Sequence, residues 1–182
     1  MPKVISGFLK GRKINGFDIS GTRPTMDRVK ESLFAMIYNN LNNSIVLDLF
    51  SGSGNLGIEA ISNGASMVYF NDYNKKCFNI IKDNIKNFDI SDKSIITSLD
   101  YQKALAFYQK ENVSFDIVFL DPPYKDMINE NIMDYLIKYN LLKDKGLIIC
   151  EVNYQIDYNN DNLILKKAKK YGDKYLYIYQ KK

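Results

Sequence analysis

The 182-residue chain has no histidine and no tryptophan, and holds only two cysteines and four prolines. Without imidazole, a zinc site is close to excluded and no metal is expected. The same absence removes the Ser–His and Cys–His nucleophile pairs. Cys77 and Cys150 both sit in apolar-patterned segments, which reads as two buried free thiols in a reducing compartment rather than a disulfide. No apolar run approaches the roughly 20 residues that span a bilayer. The opening "MPKVISGFLKGRK" carries charge but no apolar signal core. A cytoplasmic location and no membrane partner are therefore expected. What is present, 46% hydrophobic and 25% charged residues, is globular composition. The length suits one domain large enough to bury its own core, so a monomer is expected.

The net charge of +4 is unevenly spread. Residues 1–30 carry seven Lys/Arg against two Asp, and residues 163–182 carry seven Lys against one Asp. These ends stand at +5 and +6, which leaves the body between them at −7. The basic ends are either solvated tails or surfaces that converge on a polyanion such as nucleic acid.

The hydrophobic pattern predicts an α/β fold. "VISGFLKGRKI" reads as a small hairpin with glycine punctuation. Residues 26–41 place Val29, Leu33, Met36, Ile37 and Leu41 on one helical face. Strands are then expected at 44–50, 66–72, 94–100, 115–121 and 146–152. Helices are expected between them at 55–63, 74–88, 102–111 and 129–142. This alternation predicts a parallel sheet covered on both faces. "NLILKKAKKYGDKYLYIYQ" adds an antiparallel hairpin at the sheet edge, turning at Gly-Asp.

Ligands of such sheets bind beyond the carboxyl ends of the strands. Asp48, Asp72, Asp100 and Asp121 fall at or near four successive strand ends. Any one of them could be a helix N-cap; together they make a negative rim suited to a cationic ligand. "DLFSGSGNLGIEA" puts Gly52, Gly54 and Gly57 in a G-x-G-x-x-G turn between strand and helix. NAD is one reading, with Asp72 near the usual ribose-binding spacing. However, a dinucleotide would bring a pyrophosphate towards Asp48, whereas S-adenosylmethionine would bring a sulfonium and an ammonium.

The glycine turn, Asp72 and "DPPY" at the end of the fourth strand resemble a Rossmann-like class I S-adenosylmethionine-dependent methyltransferase. With "RPTMDRVKESLF" (23–34) and "LDLFSGSGNLGIEA", nearly the whole chain resembles the bacterial guanine-N2 methyltransferases of small-subunit ribosomal RNA. Two departures are Asn71, where the family often has a second acid, and an unusually Lys/Tyr-rich C-terminal hairpin. The resemblance implies a seven-stranded mixed sheet, residues 1–25 as an N-terminal extension and 26–182 as a catalytic core. Asp121, Pro122, Pro123 and Tyr124 are then the catalytic motif. Asp48, Gly52, Gly54, Gly57, Asp72, Tyr73, Asp100 and Tyr101 form the cofactor set, with Asp72 on the ribose and Asp100 on the adenine amine. Arg12, Lys13, Arg23, Thr25 and Arg28 are the expected RNA contacts; the plainer alternative for the basic ones is solvated surface. An adenine-N6 methyltransferase on DNA or RNA shares the DPPY motif. A catalytically silent RNA-binding protein on the same fold is the rival of another class.

Overall fold

A computed structural model describes residues 2–16, 24–122 and 128–182, apart from the side chains of 24–26. A long helix α1 (Pro24–Leu41) leads into β1 (Ile45–Asp48), α2 (Asn55–Ser62), β2 (Met67–Asn71) and α3 (Lys75–Phe88). Then follow β3 (Ser94–Thr97), α4 (Tyr101–Lys110), β4 (Phe115–Leu120), α5 (Asn129–Lys138), β5 (Leu142–Val152), β6 (Leu163–Tyr171) and β7 (Lys174–Lys181). The seven strands form one sheet in the order β3-β2-β1-β4-β5-β7-β6. The first five pair in parallel, β7 runs antiparallel to β5, and β6 closes the edge antiparallel to β7. The expected mixed sheet and terminal hairpin are thus present.

The alternation of each strand feeds two cores. In β4, Ile117 and Phe119 face α1, α2 and α3 through Leu33, Ile37, Ile58, Ile61 and Ile85. Val118 and Leu120 face α4 and α5 through Leu105, Tyr108, Ile132 and Leu136. Such two-faced burial is what makes these strands read as near-continuous apolar runs. Chain order reverses between β1 and β4, so the crevice that opens beyond their carboxyl ends lies at a topological switch point.

One expectation needs correction. Helix α5 ends at Lys138 rather than 142, because Asn140 takes φ 54° and Leu142 already opens β5. The small N-terminal hairpin is present: beside the antiparallel bridge of Lys3 with Lys13, the amides of Val4, Gly11 and Ile14 donate to the carbonyls of Arg12, Val4 and Pro2 at 2.8–3.0 Å. Two of its other amides reach outside it: those of Ile5 and Ser6 donate to the Glu59 carboxylate at 2.8–3.2 Å. Glu59, wholly buried on α2, also pairs with buried Lys30 of α1 at 2.9 Å. The extension is therefore docked onto α2 by a buried charge. Helix α1 begins at Pro24, so the expected boundary at residue 25 falls in its first turn.

Candidate active site

The glycine turn is built from both sides. Ser51 Oγ donates to the Asp48 carbonyl at 2.6 Å, and the Gly54 amide donates to the Ser51 carbonyl at 2.7 Å. Gly54 caps α2 at φ 81°, a left-handed conformation that costs a residue with a side chain about 1–2 kcal/mol. A Cβ at Gly57 would lie 2.2 Å from the Phe70 ring, so only glycine lets α2 seat directly on β2. Asp48 is buried, and its Oδ2 accepts from the Gly57 amide at 3.0 Å. Burial outweighs that hydrogen bond and pushes its pKa up to about 7, with Asp72 adding repulsion.

Asp72 ties the turn to β2. Its Oδ2 accepts from the Gly52 amide at 2.9 Å and its Oδ1 from the Asn74 amide at 2.9 Å. Asn71, just before it, is a buried staple. Its side-chain amide donates to the carbonyls of Leu49 at 3.2 Å and Leu99 at 3.0 Å, and its side-chain oxygen accepts from Thr97 Oγ1 at 2.8 Å. This neutral side chain holds three strand ends together, a task for which an acid lacks donors. Asp100 is exposed and caps α4 by accepting from the Gln102 amide at 2.9 Å. Tyr101 opens α4 partly buried, its ring 6.0 Å from that of Phe50, whereas Tyr73 is 69% exposed.

On the other side of the switch point, Asp121 follows β4 directly and Pro122 is buried. Burial, with Glu151 next, pushes the Asp121 pKa up to about 8; Lys174 opposes this and Asp48 adds to it. Glu151 and Lys174 form a partly buried ion pair. These two residues escape sequence reasoning. Glu151 reads as an ordinary strand-end acid and Lys174 as one lysine among many; only the pairing of β5 with β7 brings them together. Cys77 and Cys150 are buried free thiols, as expected.

Among the proposed RNA contacts, Arg28 and Lys13 are exposed. Arg12 is exposed but engaged: its guanidinium donates to the carbonyls of Asn87 and Phe88 at the end of α3 and lies 4.5 Å from the Phe88 ring. Arg23, Pro123 and Tyr124 lie outside the described residues, as does the Thr25 side chain. Among the described residues no His/Cys/Asp/Glu cluster could hold a metal, and no helix is long and apolar enough to cross a membrane.

Three acids at the crevice, Asp48, Asp72 and Asp100, accept from backbone amides. Burial raises the pKa of Asp48 to about 7 and that of Asp121 to about 8. Such a set fits a cationic ligand and opposes a pyrophosphate at α2. The residues present therefore fit S-adenosylmethionine better than NAD.

Comparison with known proteins agrees. The family model described as conserved hypothetical protein 95 matches residues 2–180. YlbH of Bacillus subtilis is 34% identical over 182 residues, 99% of each chain. Ribosomal RNA small subunit methyltransferase D of Haemophilus influenzae is 38% identical over 154 residues, covering 82% of this chain and 77% of that one. The solved structure of yhhF from Escherichia coli matches with a TM-score of 0.88 at 27% identity, covering 100% of this chain and 98% of that one. With the family model spanning nearly its whole length, the chain belongs to this family, which includes relatives named ribosomal RNA small subunit methyltransferase D, and it is a methyltransferase.

Proposed function

We propose that the chain methylates the exocyclic N2 of a guanine in small-subunit ribosomal RNA, acting as one cytoplasmic, monomeric domain. The observation that carries the site assignment is the meeting of Asp48 and its glycine turn with Asp121–Pro122 at adjacent strand ends. Residues Asp48 and Phe119 are register partners, so Asp121 stands just beyond the acid of β1. That juxtaposition sets a cation-binding turn beside an amine-binding one.

When bound, S-adenosylmethionine supplies an electrophilic methyl group on a sulfonium. The chain's own task is to aim the amine. A base amine is a weak nucleophile because its lone pair is delocalised into the ring. In this reading Asp121 accepts one N–H and the Pro122 carbonyl accepts the other. Both acceptors favour the positive charge that develops on nitrogen. Pro122 fixes φ and removes a competing donor, and Tyr124 offers a stacking face for the base. Asp121 would hold the amine while positive charge develops on its nitrogen and would be placed to take up the proton that the methylated amine releases. Asp72 is assigned to the ribose hydroxyls and Asp100 to the adenine amine. Each already holds a backbone amide, so the ligand uses the remaining acceptor capacity. Lys13, Arg23, Thr25 and Arg28 are assigned to RNA, whereas Arg12 is already engaged at the end of α3.

Small-subunit particles and free RNA, each incubated with labelled cofactor, test the base assignment once the modified nucleoside is identified. N2-methylguanosine is expected; N6-methyladenosine would refute it. Asp121→Ala should lower turnover roughly 100- to 1000-fold with little change in cofactor binding. Cofactor affinity should also rise with pH up to about 7, because a cationic ligand favours ionised Asp48 and must displace its proton below that value.

A further inference from the structure

The charged residues at the crevice form a row. Leu120 pairs with Cys150 across β4 and β5, so the next residues, Asp121 and Glu151, continue side by side. Glu151 is opposite Leu176 on β7, two residues beyond Lys174. Strand alternation settles the face. Val46, Phe119, Ile149 and Leu176 all point to the core shared with α1 and α2. Each charged residue is two positions from one of these, so Asp48, Asp121, Glu151 and Lys174 lie on that same face of four neighbouring strands. Lys174 is paired on β6 with Tyr171, whose hydroxyl meets Ser32 Oγ of α1 at 2.6 Å. The row thus ends on the helix that begins at Pro24.

Three of the four members are carboxylates. Among the described residues the charged groups acting on Asp121 are Glu151 from β5, Lys174 from β7 and Asp48 from β1. The Lys174–Glu151 pair is only 18% and 15% exposed, so water screens it weakly. The strand register sets this pair beside Asp121, where Glu151 repels its ionised form and Lys174 attracts it.

We propose that Glu151 and Lys174 are positioning residues for methyl transfer, whose ion pair sets the charge that Asp121 presents to the target amine. The C-terminal hairpin, beyond the parallel sheet, thereby reaches the reaction through Lys174. The inference rests on the assignment of Asp121 to the amine. A carboxylate accepts both N–H and the developing charge, while a protonated carboxyl offers a competing donor. Lys174 favours the first state and Glu151 the second.

The test reads Asp121 directly. Carboxyl carbons of labelled aspartate are titrated by NMR in the cofactor-free protein, with Asp121→Asn identifying the signal. Removing one neighbouring charge moves a carboxyl midpoint by about one pH unit or more. Lys174→Met should therefore move the Asp121 midpoint up, Glu151→Gln should move it down, and Lys174→Arg should leave it near its original place. The acid limb of the pH–rate profile on ribosomal RNA should follow the same order. Midpoints that stay fixed, or that move the same way in both variants, overturn the proposal, as does an acid limb that does not follow them. If Lys174→Met fails to fold, the downward movement in Glu151→Gln decides the matter alone. If midpoints and acid limb move as expected but the methylated base is not guanine, the base assignment fails and the positioning role stands.

Discussion

The two ends of the chain are nearly equal in sequence charge but differ in how far the fold uses that charge. At the N-terminus one base, Lys30, turns inward and a second, Arg12, lies against the fold. Lys30 is 3% exposed, pairs with Glu59 and also donates to the Lys3 carbonyl at 2.7 Å and to Asn55 Oδ1 at 2.8 Å. Arg12 covers the end of α3. At the C-terminus Lys174 and Lys181 of β7 are paired with Glu151 and Asp144, while the lysines of β6 turn outward. Lys166, Lys167, Lys169 and Lys170 are all exposed on β6, the edge strand of the sheet. The difference teaches that net charge counts candidates for phosphate binding without separating those already committed to the fold. An exposed lysine-rich edge has two explanations: protection against edge-to-edge pairing, or a rail for RNA. Because Tyr171 and Lys174 flank the β6–β7 turn, and β5 ends beside them at Val152, the hairpin tip lies at the crevice end of the sheet. This favours the rail.

The largest effect that would break the contrast is at Glu59. Truncation to alanine leaves Lys30 buried without its carboxylate and frees the amides of Ile5 and Ser6. A drop of about 3–5 kcal/mol is expected in urea unfolding, as when one partner of a buried pair is removed. A drop below about 1 kcal/mol, the range of surface pairs, would mean the extension is not clamped and its bases are as available as those of β6.

Next comes β6 itself. Changing Lys166, Lys167, Lys169 and Lys170 together to glutamine should leave stability within about 0.5 kcal/mol, as for surface sites generally. The log–log salt dependence of RNA binding should flatten by roughly 0.7–0.9 for every phosphate that is no longer neutralised. An unchanged slope, with new association between copies of the chain, would assign the lysines to edge protection instead.

Much of the fold is legible in sequence, for a physical reason. Strands buried on both faces are unbroken apolar runs, and helices with one buried face have a three- to four-residue rhythm, so order and topology follow from local pattern. The acids at the strand ends are visible for the same reason. What is not legible depends on long-range pairing. Glu59 sits amid Ile58, Ala60 and Ile61 in a helix otherwise read by its apolar residues, and its partners are 29 and 53–54 residues away. Glu151 and Lys174 lie 23 residues apart and meet only through an antiparallel register. Asn71 marks a departure from the family pattern, but its use as a three-strand staple requires the ends of β1 and β3 to be in place. Glycine punctuation between residues 3 and 13 marks the hairpin that is found, but not the clamping of two of its amides by a distant carboxylate.

The smallest effect separates the ends most finely. Arg12 is exposed, as are Lys3, Lys10, Lys13 and Arg28, yet it is engaged with the fold, so it stands between the two uses. Its guanidinium lies against two carbonyls at the C-terminal end of α3 and over Phe88, which gives three favourable interactions: charge against the helix dipole, charge-assisted hydrogen bonds and a cation–π contact. Each is weak at an exposed site, and their overlap is worth about 1 kcal/mol. Arg12→Ala should lower stability by that amount in urea unfolding while leaving the salt slope of RNA binding unchanged. Arg12→Lys should recover part of the stability, because an ammonium keeps the charge but cannot reproduce the planar fork over the ring. The opposite pattern, a flatter salt slope with stability unchanged, would return Arg12 to the RNA surface and make the two basic ends alike.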